Sequence, residues 1–507
     1  MATQTTNMGL VKPELQDNFN LKAHLNDNWD KIDANYEGEY FRNAVVYKVK
    51  NNYGTTALSP LFNDLKSGTT IYFPRGTYFI TDFVQIDSLT DIKIVFAKGA
   101  LIRAKSNANN GNSIFSFTNC TNVEICGANL DGNTVFCHGI SFSNCTNVKI
   151  NGGDIKTFGY KASTFSSGIR FYGANTNVNI YGVHIHHIVT GTLGDEGYGY
   201  SAGIAINSTD SGYTSNVTID NCEINNIQKT GTVLTDGDGI FIIQRPTTAD
   251  DKMLCNIHIS NCYIHDCELR CIKASCREVK VDNCLFESGN KFTRGNLVDF
   301  QFAENSSIKN CTLNAKYRGC ISVNADNGVF VCENNSINGN AINTSFSGQG
   351  IVFNRRLSSN TAVYTEPQTL IVKNNKIDNV NCPILFNYEV EEGYSYNAII
   401  IRDNTIGHFR GGTVIKVDPN RVTNVNSLII DGISFIYGST STEISQANNT
   451  FYNAFSPTTI VHLGSTTSHI NPSAVIYLKN IVGAETDDWK VNMSSYNFSA
   501  PQKAILN

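Results

Sequence analysis

Apolar residues fall in short alternating runs over most of the chain, with helical spacing confined to its beginning. Residues 216–224 read NVTIDNCEI and residues 256–264 read NIHISNCYI; in both, positions 2, 4 and 9 are apolar and position 6 is Asn. Further copies start at Asn122 (NVEICGANL), Asn147 (NVKINGGDI), Asn177 (NVNIYGVHI), Glu278 (EVKVDNCLF) and Asn305 (NSSIKNCTL), with looser ones at Val329, Thr369, Ala398 and Ser427. The spacing wanders between 22 and 40 residues. Alternation predicts strands with one face inside. Position 6 is held by Gly127, Gly152, Gly182, Asn221, Asn261, Asn283, Asn310, Asn334, Asn374, Asp403 and Gly432. Gly and Asn tolerate left-handed backbone best, so this position predicts a bend between two short strands.

Other strands of pattern G-I-x-F alternate with these copies, among them GISF at Gly139, GIRF at Gly168, GIAI at Gly203 and GIFI at Gly239, with CIKA at Cys271 and LVDF at Leu297 as variants. About three strands per repeat, a bend at one place and loops of any length elsewhere predict an all-β fold, a right-handed parallel β-helix or solenoid. No coil can bury its own apolar face; stacking at about 4.8 Å gives a continuous core and pairs the backbone between neighbours. Matched letters then lie above one another. Cys222, Cys262, Cys284 and Cys311 should form an internal column continued by Asn335, Asn375 and Asn404, and Cys120 should stack with Cys145. These thiols read as small core residues. The N-x-T strings at Asn119, Asn144 and Asn310 read as ladder positions, with no glycosylation role.

Residues 1–37 break the repeat. Leu21, Leu25, Trp29 and Ile32 fall on one helical face, giving a short N-terminal helical segment too small to stand alone. A second helix is predicted at ALSPLFNDLKSG, where it would cover the open first coil, followed by two strands around the Pro-Arg-Gly turn of TTIYFPRGTYFI. The resulting organisation is 1–37 as an attachment segment, 38–439 as β-helix, and 440–507 as last coils with a cap or trimer contact.

Composition narrows the function classes. Only 16% of residues are charged, while 64 are Asn and 40 Gly, so solubility rests on neutral polar groups. A net charge of −5 without a Lys/Arg run argues against nucleic-acid binding. No stretch is apolar enough for a membrane span, and the first residues lack the layout of a signal peptide, so folding in a cytoplasm is expected. There the 15 cysteines should be reduced, and no CxxC pair suggests structural zinc.

GTTIYFPRGTYFI followed by N-V-x-I-x-G coils resembles the start of the pectate-lyase and polygalacturonase superfamily. NMGLVKPELQDNFNLKAHLNDNWDKID is similar to N-terminal segments of tail proteins of phages and prophages of Gram-positive bacteria. Together they resemble a phage tailspike. The resemblance implies a homotrimer in the virion tail that binds, and often cleaves, bacterial surface polysaccharide, with the N-terminal segment attached to a tail or baseplate protein.

Charge is concentrated in three coils. VLTDGDGIFI, CELRCIKAS and FTRGNLVDF hold Asp236, Asp238, Glu268, Arg270, Lys273, Arg294 and Asp299. Aligning the G-I-x-F strands predicts one outward row His138, Ser167, Ala202, Asp238, Arg270 and another Ser141, Arg170, Ala205, Phe241, Lys273, Asp299, Ser322. Carboxylates on neighbouring coils would lie about 5 Å apart, and two coils apart about 10 Å, a range that includes both glycosidase geometries. Asp236, Asp238 and Glu268 are the candidate acid and base or nucleophile; Arg270, Lys273, Asp299, Arg294 and Arg170 are candidates for binding substrate. TDGDG and RCIK are similar to the Asn-Thr-Asp-Gly and Arg-x-Lys strings of polygalacturonases, with Leu234 in place of Asn and one extra residue in the second. The bland reading is an ion-pair ladder, Asp238 with Arg270 and Lys273 with Asp299, contributing about 0 to 1 kcal/mol per exposed pair. The long segment HIHHIVTGTLGDEGYGYSAG adds Tyr198 and Tyr200 for stacking on sugars and Asp195 and Glu196 at a groove rim. Its histidines are expected to alternate faces, so no metal site is expected there. The leading expectation is hydrolysis of a polysaccharide without cofactor. The alternatives are a lyase acting by β-elimination, which could use Ca²⁺, and a spike that binds without catalysis.

Overall fold

The structure is a computed structural model that describes residues 62–435 apart from short internal stretches, with strands also at 3–4, 11–12, 45–48, 459–463, 475–479 and 505–506. It is a right-handed parallel β-helix. One wall is a thirteen-stranded sheet in strict chain order. Its strands are β1 (Val84–Asp87), β2 (Asn110–Thr118), β3 (Phe136–Ser143), β4 (Phe165–Tyr172), β5 (Tyr200–Asn207), β6 (Asp236–Ile243) and β7 (Arg270–Ser275). Then follow β8 (Val298–Phe300), β9 (Ile321–Asn324), β10 (Gln349–Arg355), β11 (Cys382–Tyr388), β12 (Thr413–Val417) and β13 (Thr459–Leu463). The nine-residue copies build the other walls, in early coils as one long strand such as Thr176–Val189 and in later ones as two, such as Val279–Asp282 and Leu285–Ser288.

All eleven predicted bend positions have positive φ, from 52° at Asn261 and Asn283 to 69° at Gly127. Position 1 of the copies is a second left-handed column that alternation alone does not announce: Asn122, Asn147, Asn177, Asn216 and Asn256 have φ between 44° and 57°. Their amides form an outer chain, each donating to the one before, at 2.9 Å from Asn147 to Asn122 and 3.0 Å from Asn177 to Asn147. Of the N-x-T strings, Asn310 donates to Asp282 at 2.7 Å, while Asn144 accepts the Ala174 N–H at 3.0 Å.

The internal column is stacked as the matched letters require. The N–H groups of Tyr263, Leu285, Thr312 and Ser336 donate to the carbonyls of Cys222, Cys262, Cys284 and Cys311. All four thiols are free and buried. The bond with Cys262, together with burial, pushes the Cys222 thiol well above its ordinary range. Where cysteine gives way to asparagine, Asn375 Oδ1 accepts both the N–H of Asn335 at 3.0 Å and its side-chain amide at 2.9 Å. Asn404 does the same for Asn375, at 3.0 Å for each bond. Buried amides are tolerated because each is fully bonded.

The core is continuous from Phe62 to Ile433. Phenylalanines stack along it, Phe117 on Phe142 at 5.0 Å and Phe142 on Phe171 at 5.1 Å. Of the predicted second helix the described part is its end, where Phe62 packs edge-on to Phe115 and covers the first coils. The glycines of the G-I-x-F strands are required by close packing. A Cβ at Gly203 would lie 2.4 Å from Ile224 Cγ2 and 2.7 Å from the Gly239 carbonyl oxygen. The amphipathic helix predicted within residues 1–37 lies outside the described residues. Beyond residue 440, β13 pairs in parallel with β12, and Val475–Lys479 with Ser427–Asp431.

Candidate functional site

Register on the thirteen-stranded wall places the predicted rows side by side. His138, Ser167, Ala202, Asp238 and Arg270 are successive partners from β3 to β7. Ser141, Arg170, Ala205, Phe241, Lys273, Asp299 and Ser322 are partners from β3 to β9. Ala202, Ala205 and Phe241 pack together apart from the core, with Phe165 and Tyr200 against them. Both rows therefore lie on the outer side of the sheet.

Five of the predicted residues meet there. Arg270 Nη1 reaches Asp236 Oδ1 at 3.3 Å and Asp238 Oδ1 at 3.4 Å, while its Nε reaches Asp299 Oδ2 at 3.3 Å. Lys273 Nζ bonds Asp236 Oδ2 and lies 5.1 Å from the centre of the Phe241 ring. The ladder expected from the letters is thus half correct. Asp238 does pair with Arg270, but Lys273 turns to Asp236 and leaves Asp299 to Arg270 and to the Gln301 amide, at 3.2 Å. The reason is reach. A guanidinium fork offers donors on two sides, whereas the Lys273 stem runs over Phe241 toward β6. Nor are these exposed surface pairs: the side-chain exposure is 0% for Asp238, 9% for Lys273 and 15% for Arg270.

The two acids of β6 are driven apart. Burial dominates at Asp238 and, against the attraction of Arg270, pushes its carboxyl up to about 7. Burial also acts on Asp236, but Arg270 and Lys273 together outweigh it and hold that carboxyl below its ordinary value. Arg270 is desolvated too, yet three carboxylates keep it firmly protonated. One neighbouring acid is thus ready to carry a proton near neutrality and the other to remain ionised, the arrangement that divides acid from base.

Beside this knot lies an aromatic and basic surface. Tyr200 packs 5.3 Å from Phe241 and 6.2 Å from Phe165, measured between ring centres. Arg170 Cζ sits 5.1 Å over Phe165 and 4.9 Å over Tyr172. Its Nη1 is 3.4 Å from His138 Nε2, and His138 Nδ1 is 2.8 Å from Ser167 Oγ. Burial and then the Arg170 charge hold His138 well below its ordinary pKa, so it is neutral. By strand spacing Arg170 is about 14 Å from Lys273, three rungs away. Glu268 lies half-buried in the turn before Arg270, its N–H bonded to the Ile227 carbonyl at 2.9 Å. Arg294, Tyr198, Asp195 and Glu196 fall outside the described residues. Phe165, Tyr172 and Gln301 were not singled out by sequence; an aromatic residue flanking Arg170 on each side along one strand was the available signal.

The histidines correct a second expectation. His184 and His186 are two residues apart and share one face of the strand Thr176–Val189, where they stack with ring centres 4.3 Å apart. Alternation separates them from Ile185, which is buried.

No family model matches the sequence, and no curated protein is similar to it. Among solved structures, the chain is similar to ORF18 of Geobacillus virus E2 at 14% identity and a TM-score of 0.39, covering 78% of this chain and 65% of that one. It is also similar to the A-module of the mannuronan C-5 epimerase AlgE6 of Azotobacter vinelandii, at 13% identity and a TM-score of 0.48, covering 77% of this chain and 99% of that one. A third is the tailspike gp49 of Pseudomonas phage LKA1, at 12% identity and a TM-score of 0.43, covering 82% of this chain and 72% of that one.

Proposed function

We propose that this protein is a phage tail-associated spike that binds a bacterial surface polysaccharide and depolymerises it by glycosidic hydrolysis. The observation that carries the reading is the wall from β4 to β8, where half-buried Phe165 and Tyr200, packed on buried Phe241, adjoin two carboxyls whose pKa values are pushed in opposite directions. The half-buried rings of Phe165 and Tyr200 suit the apolar faces of sugars. Asp238 serves as the acid, Asp236 as the ionised partner, and Glu268 at the strand mouth as a further carboxylate for activating water. Arg270 and Lys273 hold the two aspartates in place, and Arg170 supplies a cation for an acidic substituent. The N-terminal segment attaches the spike to the tail, and three chains associate; both assignments rest on the sequence resemblance.

A second reading has a specific observation in its favour. Asp238 exposes none of its side chain and every acid of the knot is bonded to a cation, which suits a spike that recognises glycan without cleaving it. The purified protein is incubated with host capsule or cell-wall glycan. New reducing ends establish hydrolysis; unsaturated, ultraviolet-absorbing ends establish a lyase. Retained binding with neither establishes a receptor-binding spike. Under hydrolysis, Asp236→Asn and Asp238→Asn each lower kcat by about 10²- to 10⁴-fold with glycan binding kept.

A further inference from the structure

On a different wall, Asp154 of the strand Thr146–Lys156 is in register with His184 of the strand Thr176–Val189, and Lys156 with His186. Asp154 Oδ1 lies 3.0 Å from His184 Nδ1 and 3.0 Å from His186 Nε2. One donor atom from each of the three residues falls within 4.8 Å of the others. The other carboxylate oxygen is occupied: Lys156 Nζ bonds Asp154 Oδ2 at 2.5 Å, so Oδ1 is the one turned to the imidazoles. Each ring is also held from behind. His184 Nε2 meets the Asn225 amide at 3.1 Å, and His186 Nδ1 meets His187 Nδ1.

Two imidazole nitrogens and one carboxylate oxygen converging are the donor set of a transition-metal site; a metal on His184 Nδ1 puts the ring proton on Nε2, so the Asn225 amide must turn its oxygen toward that ring. With metal bonds of about 2.0 to 2.2 Å, tetrahedral ligand atoms sit about 3.3 Å apart, so each nitrogen-to-oxygen separation needs to open by only a few tenths of an ångström. Imidazole donors favour Zn²⁺, Cu²⁺ or Ni²⁺ over Ca²⁺ and Mg²⁺, which prefer oxygen alone. Lys156 offsets the charge of Asp154, which further disfavours ions held mainly by carboxylate charge. The site can be entered from solvent, since His184 is 38% and Asp154 32% exposed.

We propose that Asp154, His184 and His186 bind one borderline divalent cation, with Zn²⁺ as its probe, leaving the fourth tetrahedral position open to water or a glycan oxygen. The site stands apart from the acid knot and does not depend on the glycan reading. The full chain, freed of metal with a chelator, is titrated with Zn²⁺ by calorimetry, and Co²⁺ is used to read the ligand type by absorption. One saturable equivalent per chain is expected, with His186→Ala binding at least tenfold more weakly, Asp154→Asn weakened likewise, and the exposed control His258→Ala unchanged. Melting curves of each variant without metal show whether it folds, and Asp154→Asn, which keeps the side-chain shape, covers failure of the alanine variant. Zn²⁺ uptake that is unaltered in a His184→Ala/His186→Ala double variant, a thiolate charge-transfer band with Co²⁺, displacement by excess Ca²⁺, or absence of saturable uptake would each overturn the assignment.

Discussion

The asparagine part of the internal column and the acid knot are both polar, and they solve burial in opposite ways. In the column, Asn335, Asn375 and Asn404 sit fully buried and each repeats the bonds of the one below, so the same letter serves coil after coil. In the knot, Asp236, Asp238, Arg270, Lys273 and Asp299 are all different in their bonding, and no neighbouring coil reproduces the set. The column is neutral and repeats from one coil to the next. The knot is charged, closed and confined to three strands. Repetition therefore marks what holds the solenoid together, and interruption of the repeat marks where one coil does something its neighbours do not.

Arg270→Ala tests the difference most severely. It leaves Asp236 and Asp299 without their shared cation and Asp238 buried without any, and a loss of about 3 to 5 kcal/mol is expected, read from urea unfolding. Adding Asp238→Asn should restore part of it, because the worst-placed charge is then gone. Asn375→Ala comes next. It strips an acceptor from the Asn335 N–H and a donor from the Cys332 carbonyl, and should cost about 2 to 3 kcal/mol. If the substitution is neutral, the amide ladder is not what secures the later coils.

The knot should also respond to pH where the column cannot. The folded carboxyl of Asp238 is raised from 3.8 to about 7, so its stability contribution is full below the lower value and falls as pH rises through the upper one. Asp236, held low, works in the other direction and loses its contribution only as pH falls below the ordinary carboxylate value. In urea unfolding, Asp238→Asn should remove the decline between 3.8 and about 7 that this group contributes to the wild type, while Asn375→Ala leaves the slope unchanged. The smallest effect belongs to the outer chain of amides. Asn147→Gly keeps the left-handed backbone at φ 57° and removes two exposed bonds, one to Asn122 and one from Asn177, so stability should stay within about 0.5 kcal/mol of wild type.

How far each region was legible follows the same division. The eleven bend residues could be placed from letters because left-handed backbone is a local demand met by Gly, Asn and Asp. Both outward rows of the thirteen-stranded wall could be aligned because a solenoid stacks equal positions. What could not be read was the choice of partner within a row. Lys273 and Asp299 are adjacent by register, yet the lysine bonds Asp236, since a long side chain selects among acids on two strands by the surface beneath it, here Phe241. Asp154 escaped notice beside the histidines because it lies thirty residues earlier in an ordinary-looking copy of the repeat, NVKINGGDI.

By itself the sequence determined the coil: where the chain bends, which face of each strand is buried, and which residues of successive turns become neighbours. These depend on backbone preference and on a period that the letters display. Tertiary structure alone decided that Asp238 has no exposed surface, that Arg270 serves three acids, and that two histidines and an aspartate converge. Desolvation and side-chain reach are properties of the whole surrounding packing, and residues distant in the chain supply most of it.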